Sequence, residues 1–243
     1  MISKHYAAAV VIPCYNEEKR LDVAVLSDFA ALHPEILFVL YNDGSRDRTQ
    51  ELLQKLESGN PASFVALDGS PNSGKAEAVR KGILTACKYD TEFVGFWDAD
   101  FATPLEDIVN FLEKFEHCPQ LNYITGARLK RLGCDVRRKV LRHYLGRIFA
   151  TLISIDLRLP TYDTQCGAKL MRRELAEKVF DRKFVTKWFF DVEILKRLIQ
   201  LNGRDSVSAR TLEYPVSSWR DVGDSKVKMF SALYQLIQVL FLT

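Results

Sequence analysis

Four short apolar runs, each closed by polar residues and followed by a helix-like stretch, constrain this chain more than any other feature. The runs are residues 7–12, 36–41, 64–67 and 93–97. Their lengths and continuous hydrophobicity suit strands buried on both faces, as in a parallel sheet. Pro13 closes the first run, and residues 16–31 behind it read as a helix. Asn42-Asp43-Gly44-Ser45 closes the second with turn chemistry. Ser45 or Asp47 is then the N-cap candidate for a helix whose apolar face is Leu52, Leu53 and Leu56. A loop around Pro71-Asn72-Ser73-Gly74 follows the third run, after which Ala76, Val79, Ile83 and Ala86 recur at helical spacing. The fourth run ends in Asp98-Ala99-Asp100, and Thr103-Pro104 opens another helix. Strands alternating with helices predict an α/β fold with a mostly parallel sheet flanked by helices.

Composition narrows the class without choosing a function. The 243 residues are 27% charged and 47% apolar, which argues against disorder, a collagen-like repeat or a coiled coil. The length suits one domain, or one domain with an appendage, and suffices to bury a core without staples. Five cysteines with no CxxC pair argue against a disulfide framework or a zinc site and for a reducing compartment. The opening residues lack a signal-peptide pattern. No stretch reaches the roughly 18 apolar residues needed to span a bilayer. Residues 229–242, interrupted by Gln235 and Gln238, read as an interfacial segment instead.

In an open parallel sheet, ligands bind beyond the carboxyl ends of the strands. The polar clusters fall there each time, which points to a site rather than to ordinary loops. Asp98 and Asp100 are two apart at a strand end, so period-two alternation puts both carboxylates on one side. They repel each other unless a cation or proton intervenes. A hard divalent ion, held also by phosphate oxygens, resolves that repulsion; the competing reading is an acidic turn or helix cap. Lys75 stands at a helix start, where its charge opposes the helix dipole and an anion would reverse the cost; the competing reading is a solvated lysine. Asp43 can accept from a nucleoside base or ribose, or it can simply form an Asx-turn ahead of Gly44.

Taken together, these clusters resemble the family 2 glycosyltransferases, which have the GT-A fold. The resemblance rests on Val11-Ile12-Pro13-Cys14-Tyr15-Asn16-Glu17-Glu18, on Asn42-Asp43-Gly44-Ser45 with Asp47 and Thr49, on Asn72 with Gly74-Lys75, and on Asp98-Ala99-Asp100. Later segments resemble the polyprenyl-phosphate branch: Gly126-Ala127-Arg128, Asp163-Thr164-Gln165-Cys166-Gly167-Ala168-Lys169, Trp188 with Phe190-Asp191-Val192-Glu193, and Trp219 with Ser225-Lys226. Within it they look most like dolichyl-phosphate β-glucosyltransferases, with dolichyl-phosphate mannose synthases second. The resemblance implies inverting transfer of a sugar from a nucleotide donor to a polyprenyl phosphate, with UDP-glucose as the expected donor. It places Pro13, Tyr15, Glu17 and Asp43 on the nucleoside, joined by Lys75 and Asp98 on the donor. It places Asp98 and Asp100 on a divalent metal, Mg2+ or Mn2+. Residues 1–215 become the GT-A catalytic domain and 216–243 an amphipathic, membrane-apposed segment.

Positive charge is concentrated between residues 128 and 147. Eight bases (Arg128, Lys130, Arg131, Arg137, Arg138, Lys139, Arg142 and Arg147) stand there against Asp135 alone. Arg138 and Arg142 share a face if the stretch is helical. Val140, Leu141, Leu145, Ile148, Phe149 and Leu152 make it apolar as well as basic, which suits an anionic membrane surface; the competing reading is a solvated face. Arg128, Arg138, Arg142 and Lys169 are the expected cations for the acceptor phosphate. Asp163 and Asp191 are the candidates for orienting or deprotonating the acceptor. Asp163 has the competing role of pairing with an Arg or Lys, and Asp191 that of an N-terminal helix charge. The expected location is cytoplasmic, peripheral on the cytoplasmic face of a membrane, with a membrane-protein partner left open. Three alternatives stand beside this reading: a mannosyltransferase using GDP-mannose, a transferase acting on a soluble glycan, and a nucleic-acid-binding module. The segment's few aromatics for base stacking count against nucleic acid.

Overall fold

A computed structural model describes residues 4–220 except 131, 133–134 and 138–139, together with residue 238; side chains of 135–137 and 140–145 are outside it. In chain order the elements are β1 (Tyr6–Cys14), α1 (Val23–Leu32), β2 (Ile36–Asn42), α2 (Thr49–Gly59), β3 (Phe64–Asp68), α3 (Lys75–Ala86), β4 (Thr91–Trp97), α4 (Glu106–His117), β5 (Tyr123–Ala127), β6 (Asp135–Arg137), α5 (Val140–Leu157), β7 (Ala168–Arg172), α6 (Arg173–Val179), α7 (Phe190–Asn202), α8 (Arg204–Arg210), β8 (Thr211–Pro215) and β9 (Ser218–Arg220). They fall into two compact units, one of Met1–Phe101 with Ala168–Lys183, the other of Ala102–Gly167 with Phe184–Thr243.

The first unit holds five neighbouring strands in the order β3-β2-β1-β4-β7. The first three pairings are parallel, with Val11 beside Val39, Val39 beside Val65 and Val10 beside Gly95. β7 closes the set antiparallel to β4, with Phe96 beside Lys169. Every residue of β2 is buried, as expected for a strand covered on both faces. Gly95 is required where β4 meets β7: a Cβ there would lie 1.9 Å from the Lys169 carbonyl oxygen.

Two local expectations are corrected. β1 runs through Pro13 to Cys14, with Pro13 beside Tyr41. So near the strand end, the missing N–H removes one donor and does not stop the pairing. The helix expected over 16–31 begins only at Val23, where Asp22 accepts from the Val25 N–H at 3.1 Å. The polar residues before it are held by the loop after β2 instead. Asn16 takes a left-handed φ of 52°. Its backbone N–H donates to Ser45 Oγ and its side-chain oxygen accepts from Arg46. Neither Ser45 nor Asp47 is the N-cap of α2, which is Arg48, although Asp47 accepts the Thr49 N–H at the start of the helix.

In the second unit β5 pairs parallel with β8, and the short β6 pairs parallel with β9. α4 starts at Glu106 rather than at Thr103-Pro104, after an entry turn in which the Pro104 and Leu105 carbonyls accept from Asp107 and Ile108. It buries Ile108, Phe111 and Phe115, and the Phe111 ring meets Tyr214 edge-on at 5.5 Å. The Asp107 carboxylate, fully buried, accepts the Ser217 N–H at 3.0 Å and so anchors the chain after β8. α5 buries Ala150, Ile153 and Leu157 while Ile148, Leu152 and Ile155 stand exposed. No helix among the described residues is long and apolar enough to cross a membrane. The interfacial segment expected over 229–242 lies, except for residue 238, outside the described residues.

Candidate active site

The first unit gathers the residues expected on the donor at the carboxyl ends of its parallel strands. Asp43 follows β2 and is 2% exposed. One carboxylate oxygen accepts from the Ser73 N–H and hydroxyl, both at 2.8 Å. The other accepts from Asn72 Nδ2 at 2.9 Å and the Gly74 N–H at 2.8 Å. Asp43 therefore organises the loop that enters α3, a larger role than an Asx-turn. Gly44 makes that approach possible. Its φ is +68°, and a Cβ would lie 2.6 Å from the Asn72 nitrogen.

Gly74 caps α3, so Lys75 is its first residue, as expected. Its ammonium meets Asp98 Oδ1 at 2.5 Å, immediately beyond β4. Asp100 is met by Arg20, whose Nη2 lies 3.3 Å from Oδ2. The Arg20 Nε also lies 3.4 Å from Glu17 Oε2, and Glu17 is buried. The repulsion expected between Asp98 and Asp100 is thus answered within the protein, one cation to each. Phe101 completes the turn with a left-handed φ of 46° and donates its N–H to the Asp98 carbonyl at 3.2 Å; a bulky residue held there stores strain beside the pair. Pro13 and Tyr15 lie half-buried at the end of β1.

The donor set suits a hard divalent cation. Asp98 and Asp100 offer carboxylate oxygens and are not deeply buried. Among the described residues no group of three or more His, Cys, Asp or Glu side chains forms a ready-made cage. Two carboxylates, with diphosphate oxygens and water completing the shell, is the usual arrangement for Mg2+.

The second unit carries the other predicted residues. Arg128, just after β5, and Asp163 come together. Arg128 Nε and Nη2 donate to Asp163 Oδ2 and Oδ1 at 2.6 and 2.7 Å, and the Arg128 N–H donates to Oδ2 at 3.0 Å. A residue expected as a base and one expected as a phosphate ligand are therefore each other's partners, as the competing reading of Asp163 anticipated. The guanidinium also lies 5.4 Å over the Trp219 ring. The Asp163 loop is held from two further directions. Glu213 of β8 accepts the Tyr162 and Asp163 N–H groups at 2.7 and 2.9 Å. Arg147 of α5 donates to the Tyr162 carbonyl at 2.8 Å and stacks 3.7 Å over its ring. Asp191 is the second residue of α7 and is buried. Burial, then the Asp191 carboxylate, pushes the Tyr123 phenol well above its ordinary pKa.

Of the remaining expected phosphate ligands, the structure describes the side chain of Lys169 alone. Lys169, in the first unit, is 1% exposed within β7, its ammonium 5.4 Å from the Phe96 ring centre. It is enclosed rather than offered to solvent. Arg142 falls within α5, with its side chain outside the described residues, and Arg138 is outside them altogether. Arg20 and Glu213 were missed. Arg20 carries the sequence signal of a solvated helix residue, and Glu213 that of a strand-edge charge.

The sequence model for Glycosyl transferase family 2 matches residues 9–180. A dolichyl-phosphate beta-glucosyltransferase of Trichomonas vaginalis is 33% identical over 244 residues, covering 94% of this chain and 69% of that protein. The Saccharomyces cerevisiae protein of that name is 30% identical, covering 91% and 69%, and the human one 28%, covering 94% and 72%. Among solved structures, glucosyl-3-phosphoglycerate synthase of Mycobacterium tuberculosis, in complex with Mn2+, UDP and glucosyl-3-phosphoglycerate, superposes with a TM-score of 0.69 at 15% identity, covering 97% of this chain and 78% of that one. Mannosyl-3-phosphoglycerate synthase of Rubrobacter xylanophilus gives 0.69 at 13% identity, covering 97% and 73%. At these identities the structures establish the fold: a mixed, mostly parallel GT-A-like sheet flanked by helices. With the family match spanning most of the sequence, the chain belongs to glycosyl transferase family 2.

Proposed function

We propose that this glycosyltransferase moves glucose from UDP-glucose to the phosphate of a dolichyl or related polyprenyl phosphate, with inversion, at the cytoplasmic face of a membrane. The observation that carries the reading is the Asp98-Ala99-Asp100 pair at the end of β4, with Lys75 of α3 on Asp98. The names of relatives that share about 30% identity supply the sugar and the lipid.

The chemistry follows from charge. A phosphate monoester is largely ionised near neutral pH, so its oxygen is already a nucleophile and no strong base is needed. That oxygen forms a bond to the anomeric carbon of glucose as the bond from that carbon to the UDP diphosphate breaks; UDP leaves with the electron pair. Asp98 and Asp100 would hold a divalent ion, which would supply Lewis-acid stabilisation for the departing diphosphate. Lys75 pairs with the donor phosphates. Asp43 holds the 72–74 loop against the nucleoside, together with Pro13, Tyr15 and Glu17. Arg128 takes the acceptor phosphate, with Arg138 and Arg142 as further cations, and Asp163 orients the Arg128 fork rather than acting as a base. Asp191 orients the acceptor. Lys169, enclosed against Phe96, supports the sheet from within. The exposed apolar stripe of α5, Ile148, Leu152 and Ile155, faces the membrane.

The test is a donor panel. The protein is incubated with detergent-solubilised dolichyl phosphate, a divalent metal, and labelled UDP-glucose, GDP-mannose or UDP-galactose. UDP-glucose is expected to label the lipid fraction. Asp98→Asn or Asp100→Asn is expected to lower the rate about 100-fold or more, given the several kcal/mol such a metal supplies. Preferential use of GDP-mannose, or no lipid-linked sugar from any donor, would contradict the proposal.

A further inference from the structure

Arg20 stands between two of the donor-side carboxylates, and the loop is built to keep it there. The Glu17 carbonyl accepts from the Arg20 and Leu21 N–H groups at 3.0 and 2.9 Å. The Glu17 N–H donates to Thr49 Oγ1 at 2.8 Å, which fixes the turn to the start of α2. The chain thus folds back within one turn and delivers the guanidinium to Glu17 and Asp100 together. Lys75 makes the matching contact with Asp98. Glu17, Asp98 and Asp100 are therefore offset by Arg20 and Lys75, and these five side chains sum to a formal charge of −1 where the three carboxylates alone would be −3.

A cluster so offset has little charge left for a bare divalent cation. A nucleoside diphosphate alters the balance, because it brings several negative charges and gives the planar guanidinium a bidentate partner. We infer that Arg20 is a positioning residue that couples the two ligands: it occupies Asp100 until the diphosphate arrives, then passes to the phosphate oxygens and releases Asp100 to the metal. The Arg20–Asp100 ion pair breaks as an Arg20–phosphate pair forms, and the metal takes over the charge of Asp100. The inference rests on the donor-site reading above and adds an order to it, in which metal and diphosphate bind as a unit. It also gives a buried glutamate a purpose. Glu17 holds the stem of the guanidinium while its far end changes partner.

The experiment measures free Mn2+ by electron paramagnetic resonance in titrations of the full chain, with and without UDP. It compares the unaltered protein with Arg20→Gln and Arg20→Lys. Arg20→Gln is expected to bind Mn2+ alone about fivefold more tightly and UDP about fivefold more weakly, the scale of a part-exposed ion pair. Arg20→Lys, a point charge that cannot span both carboxylates, should keep no more than about half of the coupling. A merely structural role for Arg20 would weaken both ligands together; opposite shifts distinguish the two. Mn2+ affinity and UDP coupling unchanged in Arg20→Gln, or in Arg20→Lys should the first not fold, would overturn the inference. An unaltered protein that shows no UDP-dependent Mn2+ binding would overturn the donor-site reading itself.

Discussion

Asp43 shows how much one side chain holds in place. It is buried and accepts four hydrogen bonds from Asn72, Ser73 and Gly74. In Asp43→Asn a carboxylate oxygen becomes an amide donor that faces other donors. The expected cost is about 2–3 kcal/mol, the scale of charged hydrogen bonds lost together with an unsatisfied buried donor. Urea unfolding checks it: the midpoint should fall with the slope unchanged, and an unshifted midpoint would contradict the account. The residue itself was legible as part of a polar cluster at a strand end, with an ordinary Asx-turn as its competing role. Its partners were not, because they lie about 30 positions later in the chain. Asp163 and Arg128 repeat the lesson at a separation of 35. Sequence reading offered Asp163 two roles, and only the fold showed the bidentate pair. Arg20 gave no signal at all, since its charge matched the solvated face of a helix that in fact starts after it, at Val23.

At the level of elements, β1, β2 and β4 were readable because they are buried along nearly their whole length and so are continuously apolar, and β3 by its apolar run although most of it is only half-buried. β7 was not, since Lys169 and Arg172 interrupt it, and a buried lysine over the Phe96 ring has no period-two signature. The basic, apolar stretch ending in α5 was legible in outline. Along the described part of that helix, Ile148, Leu152 and Ile155 are 56%, 45% and 68% exposed at spacings of four and three residues, so they share one face. Three bulky aliphatic side chains in water on one stripe are costly unless something covers them, and a bilayer interface is the cover this account assigns. Changing all three to Ser should lower co-sedimentation with phosphatidylserine-containing vesicles about tenfold or more, from the apolar area withdrawn from the interface. Thermal stability should stay near that of the unaltered protein, because none of the three is in the core. Undiminished vesicle binding would remove the stripe from the membrane contact.

For the whole molecule, the near-balance of 34 basic and 31 acidic residues conceals a strong asymmetry. Residues 128–147 hold eight bases and one acid, leaving 26 bases against 30 acids elsewhere. The proposed nucleotide site, with Lys75 and Arg20 on its carboxylates, and the basic stretch suit the proposed transfer between two phosphate-bearing molecules. The central claim is that the nucleophile is a lipid phosphate oxygen. The direct measurement offers the protein UDP-[14C]glucose with dolichyl phosphate, with the matching dolichol that lacks the phosphate, or with both in competition, and follows label in the extracted lipid. Glucose is expected on dolichyl phosphate alone, released as glucose by mild acid as expected of a glycosyl phosphate. Equal labelling of the alcohol, or label only in a soluble glycan, would contradict it.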